Sequence, residues 1–113
     1  MSQNRNKLMD LLAGNISNLV VHSILEKAIS KREIADKYRK ELVNSLEIAK
    51  KYREKINPID RGLSIDDIKY LKNKILNRVK SELMVWILKG YSNIGMSLVE
   101  SETDKRLKEL SIE

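Results

Sequence analysis

The sequence predicts an all-α protein with three long helices plus a shorter or bent C-terminal helix, arranged as an antiparallel bundle. Apolar residues recur at three- and four-residue steps through most of the 113 residues, which is the period of amphipathic helices. One proline and four glycines are too few for the turns of a β-sandwich or barrel. Apolar types make up 42% of the chain, so we expect a single domain over residues 1–113, frayed at 1–3 and 111–113.

The first predicted helix covers about residues 4–29 and has a very wide apolar face. Its apolar positions include Leu8, Leu12, Ile16 and Leu19. Such a width is typical of a helix central to a core or to an oligomer interface. Ser30 and Glu33 then form a capping-box pattern, which favours a new helix after a very short turn. An unbroken helix with a kink at this point is the alternative.

The second predicted helix covers about residues 31–56, where one apolar stripe faces a surface of alternating charge. The pair Asn57-Pro58 ends it, because the residue before a proline avoids helical geometry. The third helix begins after Ser64, a good N-cap, and its first turn carries Asp66 and Asp67, which suit the positive end of a helix. It should continue to about residue 89.

Gly90 is a plausible end for the third helix, since glycine favours the position just after a helix. The apolar spacing nevertheless continues across Gly90. The last segment, about residues 91–110, is therefore either a separate fourth helix or a bent continuation, and Gly95 weakens both versions.

Positive charge is concentrated in the third helix. The formal net charge is +6, and residues 69–80, here called the basic stretch, carry no acid and five cations: Lys69, Lys72, Lys74, Arg78 and Lys80. Helical spacing puts Lys69, Lys72 and Lys80 on one side and the other two on another. A second basic set ends the second helix: Lys50, Lys51, Arg53 and Lys55. Such faces suit phosphates, although lysine is also the ordinary way to solvate a helix.

No residues converge on a catalytic, cofactor or metal site. His22 is the only histidine, and it is flanked by apolar residues. The carboxylates Asp60, Asp66 and Asp67 are explained by a helix start, and those of residues 100–104 by a solvated tail. Because no cysteine occurs, disulfides and thiolate metal sites cannot form. We therefore predict a non-enzyme with no cofactor, no metal and no small-molecule substrate.

A cytoplasmic location without a membrane span is also expected. The longest apolar run, residues 83–88, is far shorter than the roughly 20 residues that cross a bilayer. Polar residues interrupt the N-terminal apolar stretch, namely Asp10, Asn15 and Asn18, which argues against a signal peptide. The absence of cysteine fits a reducing compartment.

The sequence favours a helical interaction protein, an accessory or assembly subunit whose basic face contacts DNA or RNA. Its partner would be another protein or a second copy of the chain. The predicted interface comprises Leu8, Leu12, Ile16, Leu19, Trp86 and Tyr91. One alternative is a direct, weakly sequence-specific DNA- or RNA-binding protein. The other is a homo-oligomeric structural protein with no nucleic-acid role.

Overall fold

The structure, a computed structural model, describes residues 2–28, 32–56, 63–91, 94–110 and 112. These residues form four α-helices: α1 (Ser2–Ala28), α2 (Arg32–Ile56), α3 (Ile65–Leu88) and α4 (Val99–Glu109). A 3-10 turn over Met96–Leu98 leads into α4. The all-α bundle predicted from the sequence is confirmed.

The central element is α1, which packs against α2, α3 and α4. Within the described ranges, α2 and α3 make almost no contact with each other. The wide apolar face of α1 is used by the chain itself, since Leu12, Ile16 and Leu19 are completely buried in its core. This burial corrects the expectation that these three residues face another protein. Leu8 is partly buried and packs against the same core.

α1 and α2 form an antiparallel hairpin. An ion pair joins Glu26 to Arg39 at 3.0 Å, and Nε2 of His22 lies 3.3 Å from a carboxylate oxygen of Glu41. Later residues of α2 thus contact earlier residues of α1. This side-by-side packing rules out the unbroken, kinked helix. The capping pattern at Ser30 and the proline stop after α2 lie outside the residues that the structure describes.

α3 begins directly after its N-cap residue Ser64, as predicted. The hydroxyl of Ser64 accepts a hydrogen bond from the backbone N–H of Asp67 at 3.1 Å. Leu63 and Ile68 pack against the core on either side of this cap, at the two positions that a hydrophobic staple joins.

The end of α3 is a Schellman motif. Gly90 has a φ of 104°, its N–H donates to the carbonyl of Ile87, and the N–H of Tyr91 donates to the carbonyl of Trp86. The rings of Trp86 and Tyr91 meet edge to face with centroids 5.2 Å apart, the apolar contact that accompanies this motif. The helix therefore stops at Gly90, and the last segment is a separate helix.

Polar contacts help to hold α4 against the centre of the fold. Glu102 forms an ion pair with Lys27, and Arg106 donates to the hydroxyl of Ser23 at 2.6 Å. Glu102 is buried, which corrects the expectation of a solvated acidic tail. Apolar packing continues to the end of the described chain through Val99, Leu107, Leu110 and Ile112.

By length and composition alone, the part of α1 over Asn6–Ala28 could cross a membrane. The expectation drawn from the six-residue run overlooked this segment, because small polar residues interrupt it without making it hydrophilic. In the fold, 61% of this apolar segment of α1 is buried. The core helix of a bundle has the same composition, since other helices replace lipid around it.

Candidate interaction surfaces

The basic stretch of α3 is partly neutralised by its neighbours. α3 turns an apolar face inward, formed by Leu71, Ile75, Val79 and Leu83, so its cations lie along the two sides and the outer surface. Lys72 forms an ion pair with Asp104 of α4 at 2.9 Å. Lys74 forms one with Asp10 of α1. Two of the five cations of the basic stretch thus form ion pairs with neighbouring helices.

Tyr70 takes part in the second of these contacts. Its hydroxyl donates to the carboxylate of Asp10, and the ammonium of Lys74 lies 5.2 Å from its ring centroid. The hydrogen bonds from Lys74 and then Tyr70 lower the pKa of Asp10, and the bond to Asp10 raises the pKa of Lys74. The three side chains form one cluster at the side of α3 facing α1.

The remaining cations of the basic stretch lie on two different sides of α3. Lys69 and Lys80 are exposed, and no carboxylate in the described part of the chain forms an ion pair with them. They are separated by about 16 Å along one side of the helix. Arg78, also exposed, reaches toward α1 on the other side. The stretch therefore presents two cationic surfaces.

The basic end of α2 differs from the prediction at one residue. Lys50, Lys51 and Lys55 are exposed, but Arg53 is only 1% exposed. Burial lowers the pKa of its guanidinium, because desolvation disfavours the charged form. Arg53 therefore packs inside the fold and cannot present its charge to a ligand, which corrects its assignment as a contact residue.

A surface depression, here called the α2–α3 groove, crosses α1 where α2 and α3 fail to meet. Its volume is about 380 Å³. α1 supplies the floor and α2 and α3 supply the walls, with the lining residues Asp10, Leu11, Gly14, Asn15, Asn18, Ile48, Tyr52 and Arg78. Leu11 and Ile48 are 38% and 43% exposed. The groove thus combines apolar surface with neutral amides and a guanidinium.

Gly14 allows Arg78 to lie across the floor of this groove. Nη1 of Arg78 is 3.0 Å from the position that a Cβ on residue 14 would occupy. A side chain there would push the tip of Arg78 away. Arg78 also lines an adjoining depression of about 490 Å³, with Ala13, Lys74, Asn77 and Ser81. The guanidinium therefore lies between two open surfaces, where it is accessible to a ligand.

The charge of the groove changes toward the C-terminal end of α1. His22 is half-buried there, beside Glu41 of α2, with Glu82 of α3 close enough to act on it. Burial lowers the pKa of His22, although both carboxylates oppose this shift. The histidine is consequently mostly neutral near pH 7. Carboxylates thus surround His22, one helical turn beyond the groove residue Asn18.

The C-terminal part of α3 exposes apolar side chains, here called the apolar end: Met84, Val85, Leu88 and Tyr91. Leu88 is 82% exposed, and Met84 and Val85 are 51% and 50% exposed. Positions 84, 85 and 88 are one turn or less apart, so these side chains form one surface. Trp86 lies beside it, half-buried against the core and under the ammonium of Lys89. Helical spacing places positions 84, 85 and 88 off the buried stripe that ends at Leu83.

In the described ranges, no three His, Asp or Glu side chains come together in a way that could hold a metal ion. The interaction surfaces are therefore the features with the clearest chemical character. No protein-family model, curated protein sequence or solved structure matches the chain.

Proposed function

We propose that this chain is a non-enzymatic helical interaction protein, an accessory or assembly subunit that binds another protein or a second copy of itself through the apolar end of α3. The observation that carries the proposal is the 82% exposure of Leu88 beside two half-exposed apolar side chains. A contiguous exposed apolar surface is typical of a contact site. Aromatic side chains such as Trp86 and Tyr91 often anchor such contacts.

The first test compares the 113-residue chain with its Leu88→Lys variant. Self-association is followed by sedimentation over a concentration series, and partner binding by capture from extracts of the source cells. We expect the substitution to weaken association by about tenfold or more, because a charge in a desolvated contact is costly. Val43→Lys is the matched control, since Val43 is an exposed apolar residue of α2 and should have no effect.

Two results would contradict this proposal. One is a chain that stays monomeric at high concentration and retains no partner. The other is association that Leu88→Lys leaves unchanged while the variant keeps its fold.

Nucleic-acid binding is a second candidate function. It is favoured by Lys69 and Lys80, which are exposed without an acidic partner in the described chain, and by exposed Asn73 and Asn77 between them. Phosphate contacts would dominate, so binding would depend strongly on salt and weakly on sequence. Titration with short single- and double-stranded DNA and RNA over a salt series tests this. Absence of binding at low salt would leave this surface as ordinary solvated lysine.

The proposed location is the cytoplasm. A chain without cysteine is compatible with a reducing compartment, and the most apolar helix is used largely as a core element. Fractionation of the source cells should recover the protein in the soluble fraction. Recovery with membranes after a high-salt wash would argue for α1 as an anchor.

A further inference from the structure

We infer that the α2–α3 groove is a second binding surface, which receives an acidic amphipathic helix from a partner protein. This inference concerns a surface separate from the apolar end, because none of the residues that line the groove belongs to that end. It depends on three features: an uncovered side of α1, apolar residues in the groove, and cations at one end.

The uncovered side of α1 is long enough to accommodate one more helix. α2 and α3 both pack against α1 but hardly touch each other. Between them α1 exposes a stripe at helical spacing: Lys7, Leu11, Gly14, Asn15, Asn18 and His22. The stripe is about 22 Å long, or four helical turns. A helix 8–10 Å from α1 would complete the ring of helices around it.

The lining of the groove suits the apolar face of such a helix. Leu11 of the floor and Ile48 of the wall are exposed apolar residues, and Tyr52 continues the same wall. Gly14 and Asn18 place only small side chains on the floor, so they leave room for a bound helix. Helices that bind in grooves use apolar anchors spaced by three and four residues, and the apolar residues of this surface suit such anchors. A polyanion would suit it less well, because the floor is apolar and carries an exposed carboxylate.

Charge complementarity determines the chemistry of the partner. No carboxylate of the described chain forms an ion pair with Arg78 or Lys55. Arg78 lies on the floor and Lys55 on the α2 wall, 5.9 Å from the ring centroid of Tyr52. Asp10 is already engaged by Lys74. A partner carboxylate near Arg78 would therefore meet an available cation, as in charge-assisted recognition.

The surface next to the groove, toward the C-terminal end of α1, sets the direction of the partner. Glu41 and Glu82 flank His22 there, so acidic side chains of a partner would be repelled. The bound helix should carry its acids near Arg78 and neutral or basic residues near His22.

The test is selection of binders from a displayed library of amphipathic helical peptides, roughly 18 residues long, with their polar positions randomised. The target is the 113-residue chain carrying Leu88→Lys, so that binding at the apolar end does not contribute. We expect the selected peptides to have Asp or Glu at one end of the polar face. Their affinity should fall about tenfold or more for Arg78→Glu and for Ile48→Lys.

Matched controls separate the groove from general charge and folding effects. Lys69→Glu makes the same charge change as Arg78→Glu on the other side of α3, and Val43→Lys matches Ile48→Lys on another side of α2. Both controls should leave peptide affinity unchanged, and circular dichroism should show helical content equal to that of the parent chain.

Several outcomes would overturn the inference. These are failure to select any peptide, selection of basic or uncharged peptides, and binding that is insensitive to Arg78→Glu. Loss of oligonucleotide binding in Arg78→Glu, without any peptide binding, would assign the groove to nucleic acid instead. Because the target already lacks a functional apolar end, none of these results depends on the fate of the proposed function.

Discussion

The two halves of α3 reverse the roles that their compositions predict. Residues 69–80 carry five cations and resemble a ligand-binding face, whereas residues 83–88 are all apolar and resemble core. In the fold, Lys72 and Lys74 are engaged by carboxylates of α4 and α1. Met84, Val85 and Leu88 are instead exposed. The role of a helical segment therefore depends on which elements lie opposite it.

The position of α4 and of the N-terminal part of α1 explains the difference. They bring Asp104 and Asp10 against the first half of α3 from two sides. No described element covers the outer surface of the second half, so its apolar side chains remain in solvent unless another molecule binds them. Charge counted along the chain therefore overestimates the cationic surface, and apolar runs overestimate the core.

The largest expected effect is on the free energy of unfolding, and it distinguishes the buried from the exposed leucine in the second half of α3. Leu83→Ala should lower the free energy of unfolding by about 2–5 kcal/mol, because Leu83 is completely buried and its truncation leaves a cavity. Leu88→Ala should change it by less than about 0.5 kcal/mol. Urea denaturation of dilute protein measures both. Equal losses would mean that Leu88 is covered in the monomer and would remove the apolar end as a free surface.

The next largest effect concerns nucleic-acid affinity. It distinguishes the ion-paired from the exposed lysines in the first half of α3. If the chain binds DNA or RNA, replacing Lys69 and Lys80 with glutamine should reduce the slope of log affinity against log salt by about two. Replacing Lys72 and Lys74 should change the slope less, since carboxylates already engage them. The measurement is fluorescence anisotropy across a salt series. An equal reduction for both pairs would show that the ion pairs open on binding.

A smaller effect tests the engaged lysines directly. Asp104→Asn should lower the free energy of unfolding by about 0.2–1 kcal/mol at low salt, because the ion pair with Lys72 is partly exposed. The loss should shrink as salt is added. Glu100→Gln, at an exposed position of α4, is the control for charge removal. Identical results for the two variants would argue that Asp104 contributes no specific contact.

The smallest expected effect is a pH response that differs between the two ends of α1. Because burial lowers the pKa of His22 below 6.5, the unfolded chain binds this proton more readily than the folded chain. The contribution of His22 is present above pH 6.5 and is lost as the pH falls toward the lower folded-state pKa. His22→Gln should flatten this part of the profile of melting temperature against pH.

Asp10 gives the contrasting response. Its pKa is lowered from 3.8, so its contribution is present above that pH and is lost only as the pH falls below it. Asp10→Asn removes a contribution that is constant in the neutral range, so it should leave the slope of the profile there unchanged. An equal change near pH 6.5 in both variants would indicate a general loss of packing.

Much of the fold could be predicted because helix formation and helix ends are local. Apolar spacing predicted three of the four helices to within a few residues. The start of α3 was predicted from Ser64, and its end from Gly90. The start of α4 at Val99 was placed about eight residues too early, since the apolar spacing continues across Gly90 and Gly95 even though the backbone turns there.

The candidate sites could be predicted only in part. The exposed cations Lys69 and Lys80 followed from composition, whereas the burial of Arg53 and Glu102 did not, because a charged residue type is normally solvated. Gly14 and Ile48 carried no recognisable signal in the sequence. Their importance comes from the groove, which brings Gly14 of α1, Ile48 of α2 and Arg78 of α3 together from distant parts of the chain.

The amino-acid sequence alone predicts the helical class, the caps of α3 and the amphipathic character of α2, since these depend on residues within one or two turns of each other. Tertiary packing sets which cations are neutralised, which leucines face solvent, and which side of α1 stays uncovered between α2 and α3. The physical reason is range. Hydrogen bonds and periodicity within a helix are local, whereas burial and ion pairing depend on how separate helices meet in space.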